Sequence, residues 1–251
     1  MKCIGLLLML VVLTTGLAWG HNKVLSLDGD GDYIEIPDGV WFDDDLTFEA
    51  WVFIRKHTNS SVVMEFGGSD QGRVGFVIEN GEFGLPVFFV NEEIKWQAIA
   101  SGIYIELNSW VHLAYILNGN SATIYINGTE VGSGNIDILP NNVTRKSNFI
   151  GRSIGAWADA NAMYDEIRIW NIAKSTAEIQ SKINSSLSGD ESGLVGYWNF
   201  DDGTAKDLTS NENDGEMKGD AQIVNLNDLP VSISPFECCS IGKSSKYRYL
   251  G

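Results

Sequence analysis

The chain has 251 residues, 33 acidic against 17 basic, and a formal net charge of −16. So acidic a chain excludes nucleic acid as a partner, because phosphate binding needs clustered Lys and Arg. Acidity suits solubility and cation binding, and a solvated surface accounts for most of these carboxylates.

Residues 1–20 read as a secretory leader. Lys2 gives the positive start, "IGLLLMLVVLTTGLA" the apolar run, and "AWG" the small-x-small cleavage site. That run is short for a bilayer span, and no later stretch is long and apolar enough to be one. The expectation is an exported chain that does not span a membrane. It starts near His21 and carries −17 once Lys2 is removed from the −16 total. Only Cys238 and Cys239 then remain. Adjacent cysteines rarely pair with each other, because the small ring strains the peptide. The fold therefore rests on an apolar core and not on a disulfide framework, and the pair either links to another chain or stays reduced.

The rest of the chain reads as β. "LSLDGDGDYIEIPD" opens it, followed by "LTFEAWVFI" (46–54), "RVGFVIE" (73–79), "FGLPVFFV" (83–90) and "KWQAIA" (95–100). Then come "WVHLAYIL" (110–117), "ATIYI" (122–126), "AMYDEIRIW" (162–170) and "LVGYWNF" (194–200). These short alternating runs are bounded by turn residues. Asn-Gly pairs at 118–119 and 127–128 favour type I′ hairpins. One helix is expected in "STAEIQSKINSSL", where Ser175 and Glu178 form a capping box and Ile179 and Ile183 a narrow apolar face. That helix is expected to pack across the end of the domain. From about Asn225 the alternation stops, and 225–251 reads as a tail or linker.

Many short antiparallel strands with one helix imply an all-β fold, a two-sheet antiparallel sandwich. In "LTFEAWVFI" the alternation puts Leu46, Phe48, Ala50, Val52 and Ile54 on one face. Thr47, Glu49, Trp51 and Phe53 fall on the other, where Trp51 and Phe53 either line an outer surface or pack under a loop.

The aspartates Asp28, Asp30 and Asp32 do not make an EF-hand loop. Counted from Asp28, position six is Tyr33 and position twelve is Gly39, where that loop needs Gly and a bidentate acid. On residues alone they read as a bend whose carboxylates cap their own backbone.

The ordered set "LSLDGDGDYIEIPD", "LTFEAWV", "WVHLAYILNGNSATIYINGTEVG", "FIGRS", "MYDEIRIWNIAKSTAEI" and "GLVGYWNFDDGTAKDLTSNENDG" resembles the laminin-G-like jelly-roll domain. That family lies within the concanavalin-A-like lectin and glucanase superfold. The resemblance runs from about residue 23 to 224 and implies one jelly-roll domain over 21–224. One feature departs from the pattern: "GLVGYWNFDDGT" often precedes the "DGDY" strand and here follows the helix. It either completes this sandwich or opens a second copy.

The resemblance also implies a structural calcium where the first strands meet a late strand. The late strand here is "MYDEIRIW", and Asp165 shares the parity of Ile167 and Ile169, which places it toward the core. A carboxylate there needs a partner, and a hard cation held by oxygens supplies one. The ligand set that follows is Asp28, Asp165, Asp30, Gly31 and Asp32. A salt bridge or backbone hydrogen bonds would satisfy Asp165 as well.

Catalytic motifs are absent. The E-x-D-x-x-E run of the glucanase branch does not occur, Glu92 and Glu93 point to opposite strand faces, and the three histidines His21, His57 and His112 have no G-x-S-x-G nearby. His112 alternates with apolar neighbours and reads as a packed strand residue. The resemblance and the aromatic content point instead to a secreted, non-catalytic module that binds glycan or an extracellular protein. Sugar rings stack on exposed aromatics, and Trp41, Trp96 and Trp157 lie in or near loops. The segment 152–166 reads as a rim loop. A structural or adhesion role, and a glycoside hydrolase of the same fold, are the alternatives. Sequons occur at Asn59, Asn127, Asn142 and Asn184 and matter only in a glycosylating host.

Overall fold

The structure is a computed structural model that describes residues 22–58, 60–67, 72–79, 84–92 and 95–229. The expected leader, Asn59, Cys238 and Cys239 lie outside those residues. Alternation over so many short runs leaves one apolar face per strand, and two sheets bury those faces against each other. The strands are β1 (Lys23–Asp28), β2 (Tyr33–Ile36), β3 (Leu46–Lys56), β4 (Ser61–Gly67), β5 (Arg73–Glu79), β6 (Leu85–Glu92), β7 (Lys95–Ala100) and β8 (Trp110–Asn118). They continue with β9 (Ser121–Ile126), β10 (Thr129–Asn135), β11 (Ser147–Ile150), β12 (Asn161–Trp170), β13 (Leu194–Trp198), β14 (Glu216–Lys218) and β15 (Gln222–Asn225). The helix α1 spans Thr176–Lys182.

One sheet runs β10-β9-β8-β3-β12-β1-β15, with β13 also paired to β12; the other runs β14-β2-β11-β4-β5-β6-β7. All the strand pairings are antiparallel. This is the two-sheet jelly-roll sandwich expected from the sequence. Its core takes Leu46, Phe48, Ala50, Val52 and Ile54 from β3, as alternation requires. Phe48 stacks across the sheets on Phe76 at 4.3 Å. At one side the sheet edges close on each other, where the Gly102 N–H donates to the Val131 carbonyl at 2.7 Å. At the other, the turn from β14 to β15 passes from one sheet to the next, with β14 paired to β2 and β15 to β1. Residues 193–225 thus add three strands to this sandwich. The ordered chain also runs past Asn225, since Leu226 is buried in a small outer cluster with Val24, Trp51 and Met163.

The Asn127–Gly128 turn has positive φ at both residues, as type I′ demands. At 118–120 only Gly119 has positive φ, so Asn118 ends its strand and the central turn pair is Gly119–Asn120. Asn127 is held in its turn, its Oδ1 accepting the His112 N–H at 2.9 Å.

Two expectations need correction, the place of α1 and the exposure of Trp41, and the alternative left open for Trp51 and Phe53 resolves to packing. The helix α1 lies on the outer face of the eight-stranded sheet, not across the end. Ile179 packs on Ala114, Ile116 and Tyr125. Trp51 and Phe53 pack beneath the chain that follows the helix, with Ile183 and Leu229 against their cluster. Arg168 donates to the carbonyls of Lys182 (3.1 Å) and Ser185 (2.6 Å), and the Trp51 indole N–H donates to that of Ile183 (3.0 Å). Carbonyls at a helix C-terminus lack intrahelical partners, and a cation there also suits the helix dipole. Trp41 is 2% exposed. Its loop folds inward and seats the indole between Phe66 and Trp198, at 5.4 and 6.1 Å. Gly196 leaves the space, since a Cβ there would sit 3.1 Å from Trp41 and 2.5 Å from Trp198.

Candidate functional site

Two constellations stand out, and one loop touches both. The first is the aspartate loop after β1. Asp32 is 1% exposed, and its carboxylate accepts the N–H groups of Asp28 (2.6 Å) and Gly29 (3.0 Å). Asp28 in turn accepts the Asp30 N–H at 2.9 Å. The carboxylates therefore do cap their own bend. A further acid arrives from the turn between β14 and β15. Gly219 has φ +66, and a Cβ there would lie 2.6 Å from the Gly31 carbonyl oxygen; only glycine lets this turn close onto the loop. Its neighbour Asp220 then joins Asp28 and Asp32, with carboxylate oxygens of all three within 4.8 Å of one another.

That spacing fits one hard cation. Oxygens at about 2.4 Å on opposite sides of calcium lie about 4.8 Å apart. Burial, and then the Asp28 carboxylate, push the Asp32 carboxyl up, while the donated N–H groups pull it back only in part. Arg55 sits behind the loop, donating to Ser26 Oγ and Asn161 Oδ1 at 2.9 Å each and to the Leu27 carbonyl. Its charge faces Asp32 and Asp28 and offsets part of their repulsion.

Asp30 is exposed and lies outside the trio, and Gly31 contributes a backbone N–H to Asp159 at 3.2 Å. Asp165 is not brought to the loop. Asp28 pairs with Asn161, four residues before Asp165, or about 13 Å along a strand. Nor does Asp165 face the core. A β-bulge interrupts the β12–β3 register between Asp165 and Arg168, with Glu166 at φ +50. The extra residue resets the alternation. Asp165 therefore pairs with Trp51 on the outer face, while Ile167 and Ile169 face the core. Asp165 is 3% exposed and accepts the Glu166 N–H at 2.8 Å. Burial, then the Glu166 and Asp201 carboxylates, push its carboxyl well above the usual range.

The second constellation lies on the outer face of the seven-stranded sheet. Pairing sets Arg73, Asn91 and Trp96 in one row across β5, β6 and β7, and Gly75, Phe89 and Ala98 in the next. The Phe89 ring covers Gly75 so closely that a Cβ there would lie 2.1 Å from it. Trp96 lies flat on Phe89, centroids 4.4 Å apart and planes at 15°, and is 46% exposed. Trp157 stands at 85° to Trp96 with centroids 5.8 Å apart. The two indoles form a floor and a wall.

The loop 151–160 carries that wall. Arg73 forms an ion pair with Glu65, which is 0% exposed, and its guanidinium sits 5.1 Å over the Trp157 ring. It also donates to Ser153 Oγ at 3.3 Å, while Glu65 accepts the Ile154 N–H at 3.3 Å. At its far end the loop places Asp159, which accepts the Gly31 N–H and pairs with Arg152 at 3.1 Å. Asp159 and Asp220 carry no sequence motif; only strand pairing between distant segments brings them to the aspartate loop. Trp96 and Trp157, by contrast, were legible as aromatics near loops.

Among the described residues no helix is long and apolar enough to cross a membrane. No curated protein sequence matches this chain. Among solved structures, a proposed carbohydrate binding protein from Bacteroides ovatus superposes with a TM-score of 0.63 at 19% identity, over 86% of this chain and 62% of its own length. This chain thus spans under two thirds of that protein. A heptameric SAP-like pentraxin from Limulus polyphemus gives 0.60 at 13% identity, over 82% and 95% of the two chains. Domain 4 of a GH43 extracellular arabinanase from Geobacillus stearothermophilus, in complex with arabinotriose, gives 0.53 at 21%, over 63% and 75%. At these identities the likeness is one of fold. The sequence itself matches a laminin-G-type family model over residues 28–180. The chain belongs to the concanavalin A-like lectin/glucanases superfamily.

Proposed function

We propose that this chain is a secreted, non-catalytic carbohydrate-binding module. The observation that carries the reading is the corner of exposed Trp96 and half-buried Trp157, held at 85° on the outer face of the seven-stranded sheet. Aromatic faces carry negative quadrupole charge and attract the electropositive C–H face of a sugar ring, while the walls exclude water. Two structural neighbours with the same fold, the Bacteroides protein and the arabinanase domain, are described as carbohydrate-binding or hold an arabinose oligosaccharide, which supports this reading. Export rests on the leader-like residues 1–20. Glycoside hydrolysis needs two carboxyl groups facing each other across the sugar. Among the described residues, Glu65, which underlies the Arg73 beside this corner, is buried and ion-paired.

A structural calcium at Asp28, Asp32 and Asp220 belongs to the same proposal. When bound, it would neutralise three converging carboxylates and tie the β14–β15 turn to the end of β1. Asp30 and Asp165 are not among the three carboxylates of this proposed site, while the Gly31 carbonyl, beside the Gly219 turn, stays a candidate ligand.

The test is a glycan array probed with the protein in calcium and in chelator. Saturable glycan binding that Trp96→Ala removes, in a variant with unchanged melting temperature, supports the module. Binding that survives Trp96→Ala unchanged moves the site elsewhere, and no binding to any glycan removes the reading.

A further inference from the structure

We infer that the corner selects neutral, soluble glycans, reading a single sugar ring or one ring of an unpacked chain, and rejects both crystalline polysaccharide and polyanions; this rests on the carbohydrate reading above. Three features of the corner lead there.

The first is the angle between the rings. A flat crystalline face needs coplanar aromatics that touch successive sugars at once. Here the second indole stands at 85° to Trp96, 5.8 Å from it and 5.3 Å from Phe89, so it abuts the side of their stack and the two indoles offer a flat lattice no common plane. A single ring needs no such plane: its face lies on Trp96 and its edge meets Trp157. The floor is also fixed. Trp96 rests on Phe89 at 15°, and Phe89 rests on Gly75, so the floor has no room to rotate the indole down and flatten the corner.

The second is charge. Arg73 is the cation that touches the wall, 5.1 Å from the Trp157 ring. It is committed to Glu65, which is fully buried beneath it. That pair is neutral as a unit, so Arg73 is no spare positive charge for a uronate, sulfate or sialate. The whole chain carries −16, and such a field lowers the local concentration of polyanions, most of all at low salt.

The third is the polar rim. Asn91 lies beside Trp96 in the sheet, and its Nδ2 donates to the Lys95 carbonyl at 2.8 Å. That bond fixes the amide orientation and leaves Oδ1 as an acceptor. It suits a hydroxyl donor and opposes a carboxylate or sulfate, which have no proton to give.

The experiment measures binding of the purified protein by tryptophan fluorescence and calorimetry against three panels. These are neutral oligosaccharides (arabino-, xylo-, gluco-, galacto- and manno-), anionic ones (oligogalacturonate, heparin fragments, sialyllactose), and suspensions of crystalline cellulose and chitin. The expected result is saturable binding to at least one neutral oligosaccharide, no retention on the crystals, and anionic ligands at least about tenfold weaker, a gap of about 1.4 kcal/mol. Trp96→Ala should cost about tenfold, and Trp96→Phe, which keeps a flat ring, should restore most of it; both retain the Phe89 base. Anionic ligands that bind as well as neutral ones and weaken with added salt, or retention on crystals, would overturn this inference and leave carbohydrate binding standing. Silence across all three panels removes the carbohydrate reading itself, and this inference with it.

Discussion

His112 Nε2 stands 3.4 Å from Glu49 Oε2, with both side chains no more than 2% exposed. The pair lies at the centre of a buried network under the helix. Glu49 also accepts the Trp170 indole N–H at 2.8 Å and has Arg168 at 3.9 Å. Arg168 then holds Glu166 at 2.7 Å and the helix-end carbonyls. Three strands thereby fix where the segment after α1 lies. Burial pushes the Glu49 carboxyl up, but His112, Arg168 and Trp170 outweigh it and hold it below its ordinary value of 4.5.

Glu49→Gln tests that network. A carboxyl with a lowered folded pKa contributes stability above its unfolded value, and that contribution is lost as pH falls through the folded value. The variant should therefore melt well below the wild type at neutral pH, with the gap closing in acid. Breaking a buried ion pair costs about 3–5 kcal/mol, and each kcal/mol moves the melting temperature by about 2–4 °C in a domain of this size. A gap that stays constant from neutral to acid pH would show that the charge contributes nothing.

Asp165→Asn should act in the opposite direction. Folding opposes ionisation of Asp165, so stability falls as pH rises from the ordinary value of 3.8 toward the higher folded value. Asparagine keeps the oxygen that accepts the Glu166 N–H and carries no charge. Its melting temperature should exceed the wild type's at neutral pH and match it in acid. Stability below the wild type's at neutral pH, with the gap closing in acid, would mean that the carboxylate has a cationic partner after all.

Calcium should raise the melting temperature, and Asp220→Asn should shrink that rise. A ligand in thousandfold excess over its dissociation constant adds about 4 kcal/mol. Asp165→Asn should leave the calcium increment unchanged, because Asp165 lies away from the Asp28 loop. Equal melting in calcium and chelator for the wild type would reduce the aspartates to turn formers.

Gly75→Val probes the floor. Its side chain would enter the space of the Phe89 ring, since even a Cβ lies 2.1 Å from it. Overpacking of this kind costs about 1–3 kcal/mol. The expected signature is a shifted tryptophan fluorescence spectrum, and a loss of sugar binding larger than the stability cost explains. Unchanged fluorescence would show that Phe89 and Trp96 are not coupled.

Much of the sandwich was legible because its signals are local. The capping box at Ser175 and Glu178 formed as read, with both bonds present. The alternation of 46–54 chose the core face without error. By contrast, β4 went unread, because "SVVMEFG" is buried on both faces and shows no alternation. The strands β14 and β15 are only three and four residues long, too short to show a period. The candidate corner was half legible: Trp96 and Trp157 stood out as loop aromatics, while Trp41 looked identical to them and proved to be core.

The sequence by itself determined the class of fold, the Asn127–Gly128 turn and the helix start, since each depends on residues within a few positions of one another. Tertiary structure alone decided which aspartates meet, which tryptophans face water and which way Asp165 points. Those outcomes depend on register between strands far apart in the chain, and one inserted residue at a bulge reverses every side chain beyond it. Asp165 carries that lesson: its parity with Ile167 was correct by count, and the bulge at Glu166 turned it to the other face.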